Sequence, residues 1–151
     1  MLNIPDHNTI FNILSELKKD TPRKFGKMSA QHMVEHLSYA MTFSNGKDPQ
    51  QLMVHERLAR AIKHHTINTS EEMGIGFKAP MLGDEPPPLL HGSLETAIEQ
   101  LKKEMQDFDN YFKNSPKAKF ISPVLGELDH AEWIIFHNKH FTHHFKQFGL
   151  L

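Results

Sequence analysis

The segment HNKHFTHH, residues 137–144, sets four imidazoles within eight positions near the end of the chain. Wound as a helix at about 100° per residue, His144 falls about 40° and His137 about 60° from His140, with Trp133 between them. Phe148, Phe141, Ile134 and Phe145 continue the same arc, whereas His143 turns outward. Three of the four rings therefore border the apolar face. His140 and His144, four residues apart, can aim two ring nitrogens at one ion. Two ligands seldom hold a metal, so a third must come from another helix. SAQHMVEHLSYAM, residues 29–41, carries His32 and His36 at the same spacing. With Met33, Leu37 and Ala40 facing inward, His36 lies on the edge of the apolar arc and His32 farther out, which makes His36 the expected third ligand. Three neutral imidazoles leave coordination positions open, as in catalytic rather than closed structural zinc sites. Nickel, copper and iron also accept imidazole.

Two other readings compete. His32-Met33-Val34-Glu35-His36 matches H-x-x-E-H, in which both histidines bind zinc and the glutamate acts on water. That reading leaves the C-terminal cluster unexplained, and the chain is small for such a peptidase. Glu35 is the nearest acidic candidate for a catalytic base, although the helical wheel turns it away from His36. Alternatively, clustered imidazoles repel when protonated and form a pH-responsive surface. His7, His55, His91 and His130 read as ordinary satisfied polar groups, and His64-His65 as a solvated helix end.

The elements that must position these residues are helical. Asp6 caps a first helix expected to run to about Asp20, before Pro22. KFGK follows as a linker. Ser29 caps the second helix, closed by Asn45-Gly46. Residues 50–66 read as a shorter third helix with Leu52, Leu58, Ala59 and Ile62 inward. A long irregular stretch follows over 67–92, with four glycines and four prolines. A loop this long is usually functional, often a lid, and Phe77 or Met81 is expected to shape a pocket beneath it. Ser93 opens an amphipathic helix to about Lys113. Asp129 caps the last helix, with Glu132 as capping-box partner. No convincing strand is visible. The expectation is a single all-α domain over 1–151, an antiparallel four-helix bundle with a short extra helix and a long irregular loop.

Composition narrows the function classes. The 151 residues carry a net charge of −1 with dispersed Lys and Arg, which argues against nucleic acid as a partner. With no cysteine there are no disulfides, thiolate metal sites or protein-borne thiol nucleophile. No secretory leader and no membrane span is evident, so no membrane is expected and the cytoplasm is the expected compartment.

MSAQHMVEHLSYAM and EWIIFHNKHFTHHFKQFG resemble the second-helix and final-helix signatures of the DinB/YfiT-like superfamily, and with helix order the resemblance covers nearly the whole chain. The resemblance implies a metal-binding four-helix bundle whose ligand triad falls on His36, His140 and His144. His137 occupies a position the superfamily does not reserve, either a fourth ligand or part of the cavity lining. It also implies a divalent metal, nickel or zinc foremost, and a homodimer. Relatives in that superfamily include transferases for low-molecular-weight thiols. Three functions follow as expectations. The first is a metal-dependent thiol S-transferase or hydrolase acting on a small-molecule substrate or low-molecular-weight thiol. The second is a non-catalytic, stress-associated metal-binding bundle, and the third a structural bundle with pH-responsive histidines.

Overall fold

Capping side chains decide where the helices begin. In the computed structural model, which describes residues 1–77 and 79–151, the Asp6 carboxylate accepts the Thr9 amide at 3.2 Å and opens α1, His7–Leu14. Ser29 accepts the His32 amide and the His32 ring returns a bond to the Ser29 amide, opening α2, Ala30–Thr42. His55 Nδ1 accepts from the Arg57 amide at the head of α3, Glu56–Asn68. Ser93 caps α4, Leu94–Asn114. A short hairpin follows: β1, Phe120–Ser122, pairs antiparallel with β2, Gly126–Leu128. Asp129 and Glu132 then exchange both capping-box bonds at the start of α5, His130–Gln147. Each such cap is worth about 1 kcal/mol.

The fold is therefore mostly helical, with one small two-stranded sheet. α2 packs chiefly on α4, and α5 receives α2, α3 and the hairpin. The α4 stripe Leu94, Ala97, Leu101, Met105, Phe108 and Phe112 is buried at three- and four-residue intervals and meets Trp133, Phe141 and Phe145 of α5 in the core. A buried carboxylate ties the end of α2 to α4. Glu104 accepts from Asn45 Nδ2 at 2.7 Å, Lys47 Nζ at 2.8 Å and Gln100 Nε2 at 2.6 Å, so its charge is compensated rather than stranded. At the other side of α5, Thr142 Oγ1 and Asn138 Oδ1 accept the amides of Leu2 and Ile4 and hold the N-terminal segment down. Among the described residues no helix is long and apolar enough to cross a membrane.

Several expectations need correction. α1 stops at Leu14, not near Asp20. Beyond it the amides of Glu16 and Leu17 bond three residues back, to Ile13 and Leu14, and this tightened turn still buries Leu17. α3 begins at Glu56 rather than 50, because the Met53 amide is taken by Pro123 O at 2.8 Å. Leu58 then faces solvent, half exposed, while Ala59 is buried. The hairpin was not expected. Its strands are three residues each, too short to show alternation. Ser122 Oγ accepts the Val124 and Leu125 amides, and Gly126 closes the turn at φ +81°, a left-handed position that suits glycine.

Candidate metal centre

His36 of α2 and His140 and His144 of α5 meet at one point. The Nε2 atoms of His36 and His140 lie 2.9 Å apart, those of His140 and His144 3.2 Å. One nitrogen from each ring falls within 4.8 Å of the others, and the three rings stand nearly perpendicular with centroids 4.7–4.8 Å apart. The local reason is the helix itself: the capped α5 keeps the 140/144 pair on one face, and α2 packs so that His36 completes the triangle.

Burial makes all three rings neutral at pH 7. Desolvation, aided by the neighbouring histidines, pushes His36 down to about 4 and His144 to about 3, and drives His140 well below its ordinary value. Gln147 fixes the tautomer of one of them. Its Nε2 donates to Phe25 O at 3.0 Å, so its Oε1 faces His144 Nδ1 at 2.8 Å and can only accept. His144 therefore carries its proton on Nδ1 and turns a bare Nε2 lone pair to the cluster. The single N–H that His140 Nε2 can carry cannot satisfy both neighbours, and His140 Nδ1 is buried without a hydrogen-bond partner among the described residues. A divalent ion accepting all three lone pairs would resolve that frustration. Ligands at about 2.0–2.1 Å in a tetrahedral set lie roughly 3.3 Å from each other, close to the 2.9 and 3.2 Å of the two pairs that meet at His140. The donor set fits zinc, nickel, copper or iron.

Gly26 is part of this support. At φ +77° it passes so close that a Cβ would stand 2.8 Å from Gln147 Nε2. KFGK, read as a linker, is thus the seat of the residue that orients His144. Neither Gln147 nor Gly26 was singled out from the sequence. The only local signal was the placement of Gln147 three residues after a candidate ligand, a pattern of supporting hydrogen bonds seen around metal-binding histidines.

Other candidates lie elsewhere. His137 is fully buried, stacked on Trp133 with centroids 5.4 Å apart and bonded to Ser44 Oγ at 2.8 Å; it does not join the triad. His32 is consumed by capping, its Nδ1 2.7 Å from Ser29 Oγ, so the H-x-x-E-H pair does not converge. Glu35 accepts the amides of Leu90 and His91, each at 2.9 Å, and Gln31 Nε2 at 3.1 Å. Burial raises its pKa, but those amides outweigh it and hold the carboxyl below its usual value. Glu35 fastens the end of the long loop and is no base for the triad. Of the histidines read as ordinary polar groups, His7 pairs with Asp109 at 3.0 Å, His55 caps α3 and His130 stacks on Phe112. His143, half-buried, points its Nδ1 at Met73 O, 3.3 Å away.

Beside the triad lies a cavity of about 570 Å³, in the range of small-molecule sites. Its walls come from α2, α3, α5, the hairpin turn and the long loop, and Phe77 and Met81 both line it. Residue 78 lies outside the described residues. The loop is held at its edges: Lys146 Nζ binds both oxygens of Glu72 at 2.7 and 2.8 Å, and Lys27 reaches Glu85 at 2.7 Å. No curated protein and no solved structure matches the chain. A family whose members are described as "Protein of unknown function (DUF1569)" matches residues 1–149. That match spans nearly every residue from the N-terminal segment through the histidine triad, and the chain belongs to this family.

Proposed function

We propose that the chain is a divalent-metal-binding protein and a metal-dependent enzyme of the thiol S-transferase or hydrolase type, with His36, His140 and His144 as ligands. The observation that carries the reading is the convergence of three neutral Nε2 atoms from two helices. Nickel or zinc is the proposed ion. Its chemistry at such a site is Lewis acidity, lowering the pKa of a proton-bearing ligand in an open position. The chain's own residues supply the rest: Gln147 orients His144, and the mostly apolar walls shape the space beside the triad. The reading takes the helices as the four-helix bundle of the DinB/YfiT-like superfamily, which the two His-bearing segments resemble, and with it a cytoplasmic homodimer. The alternative is a metal-binding bundle without catalysis; the cavity opening on the triad favours the enzyme.

Metal analysis of purified protein tests the reading. About one equivalent of nickel or zinc is expected, with His36→Ala, His140→Ala and His144→Ala each losing it. Full occupancy in all three variants, or a wild-type melting temperature indifferent to chelator, rules the site out. Metal-dependent turnover is then sought with thiol and electrophile pairs and with simple esters.

A further inference from the structure

The charged groups on the cavity wall are already engaged. Lys139 Nζ donates to Thr69 O at 2.8 Å. Both Glu72 oxygens are held by Lys146, and Glu71 lies 3.4 Å from His65 Nδ1. Most of the remaining lining is apolar, including Phe43, Ile62, Met81, Leu125 and Phe136. A charged body placed there would lose its hydration against a mostly apolar wall, whose buried ammonium, Lys139, already lies in the field of the Glu71 carboxylate. Among the described residues, the wall also carries the cluster of Nε2 atoms at the triad, at distances that one proton cannot satisfy.

We infer that the occupant of this cavity is a small molecule with an uncharged, apolar body and a single metal-ligating head, the head meeting the triad and the body lying along the Phe43, Ile62 and Phe136 walls. This substrate class rests on the metal-site reading for the head, whereas the body rests on the wall alone. The volume, about 570 Å³, suits a small molecule rather than a peptide helix. Whichever reaction runs, the wall selects the apolar reactant, and a second, hydrophilic reactant approaches from the open side.

Two measurements separate the parts of this inference. Cobalt(II)-loaded protein is titrated with straight-chain hydroxamates from aceto- to hexanohydroxamate, read by visible absorption. Affinity should rise about fourfold per added methylene, and adipic monohydroxamate, with a carboxylate at the far end, should forfeit the gain. Metal-free protein is titrated with the neutral fluorophore N-phenyl-1-naphthylamine, whose emission should rise with wild type and not with Met81→Asp, a half-buried loop position outside the core. Cobalt binding with a flat hydroxamate series, or with the carboxylate-tailed compound as tight as hexanohydroxamate, overturns the inference while leaving the metal site intact. Failure of wild type to enhance the fluorophore also overturns it. Fluorophore binding that Met81→Asp abolishes, in protein that takes up no cobalt, upholds the apolar cavity and sinks the metal reading instead.

Discussion

His137 and His140 stand less than one turn apart on α5, and both are withdrawn from solvent. Burial pushes both towards the neutral imidazole, His137 to about 3. Their surroundings differ in kind. His137 lies between Trp133 and Phe108, and among the described residues its hydrogen-bond partner is the Ser44 hydroxyl. His140 faces two further imidazoles across the cavity wall, at distances that one proton cannot satisfy. Depressed basicity is common to a sealed core residue and a candidate ligand, so it does not separate them; convergence of unsatisfied lone pairs does.

The sharpest way to break this comparison is to exchange the fates of the two residues. His140→Ala should weaken zinc or nickel binding by more than about 100-fold, since losing a ligand costs more than losing a ligand's support. His137→Phe should leave occupancy unchanged in the same titration. Equal losses would mean that the triad is misassigned.

The next effect in size concerns Gln147. Gln147→Leu removes the acceptor that sets the His144 tautomer and should cost about 10–100-fold in metal affinity. Gln147→Glu, which keeps an acceptor there, should bind at least as tightly as wild type. Gly26→Ala should shift in the same direction as Gln147→Leu, because its Cβ would displace the Gln147 amide, and it should also lower stability at that left-handed φ. Isothermal titration with each variant, beside cobalt absorption, checks the order.

Acid sensitivity sharpens the sealed side. An unfolded imidazole titrates near 6.5, whereas folded His137 stays neutral down to about 3. Between those values the unfolded chain holds the extra proton, so the contribution is complete above about pH 6.5 and is lost as pH falls towards 3. His137→Phe should make the fall of melting temperature with acid shallower, by on the order of a few kcal/mol across that window. Ser44 keeps a partner in this variant, since its hydroxyl also donates to Met41 O. The smallest effect on metal is expected from Glu35→Ala: unchanged occupancy, a stability loss of about 1–3 kcal/mol from two stranded amides, and faster hydrogen exchange at Leu90 and His91.

What could be read in advance followed the range of the underlying interactions. Ser29, Ser93 and Asp129 announce their helices because a cap is made within three residues, and the 140/144 pair is visible because i,i+4 spacing is a property of one helix. His36 could be ranked above His32 from its place beside Met33 and Leu37. Gln147 against Phe25 and Gly26 is a contact across 122 positions, beyond any local pattern. The start of α3 likewise depended on a bond between distant parts of the chain, Met53 to Pro123. The hairpin was hidden by brevity.

His36 and His140 are separated by 104 positions. An ion shared between them would act as a clasp joining the early and late parts of the chain, formed only once α2 and α5 have docked. A nascent chain could not take up its ion until residue 144 had emerged from the ribosome. Once closed, the clasp would oppose unfolding by roughly 4 kcal/mol at a free-ion level 1,000 times the dissociation constant.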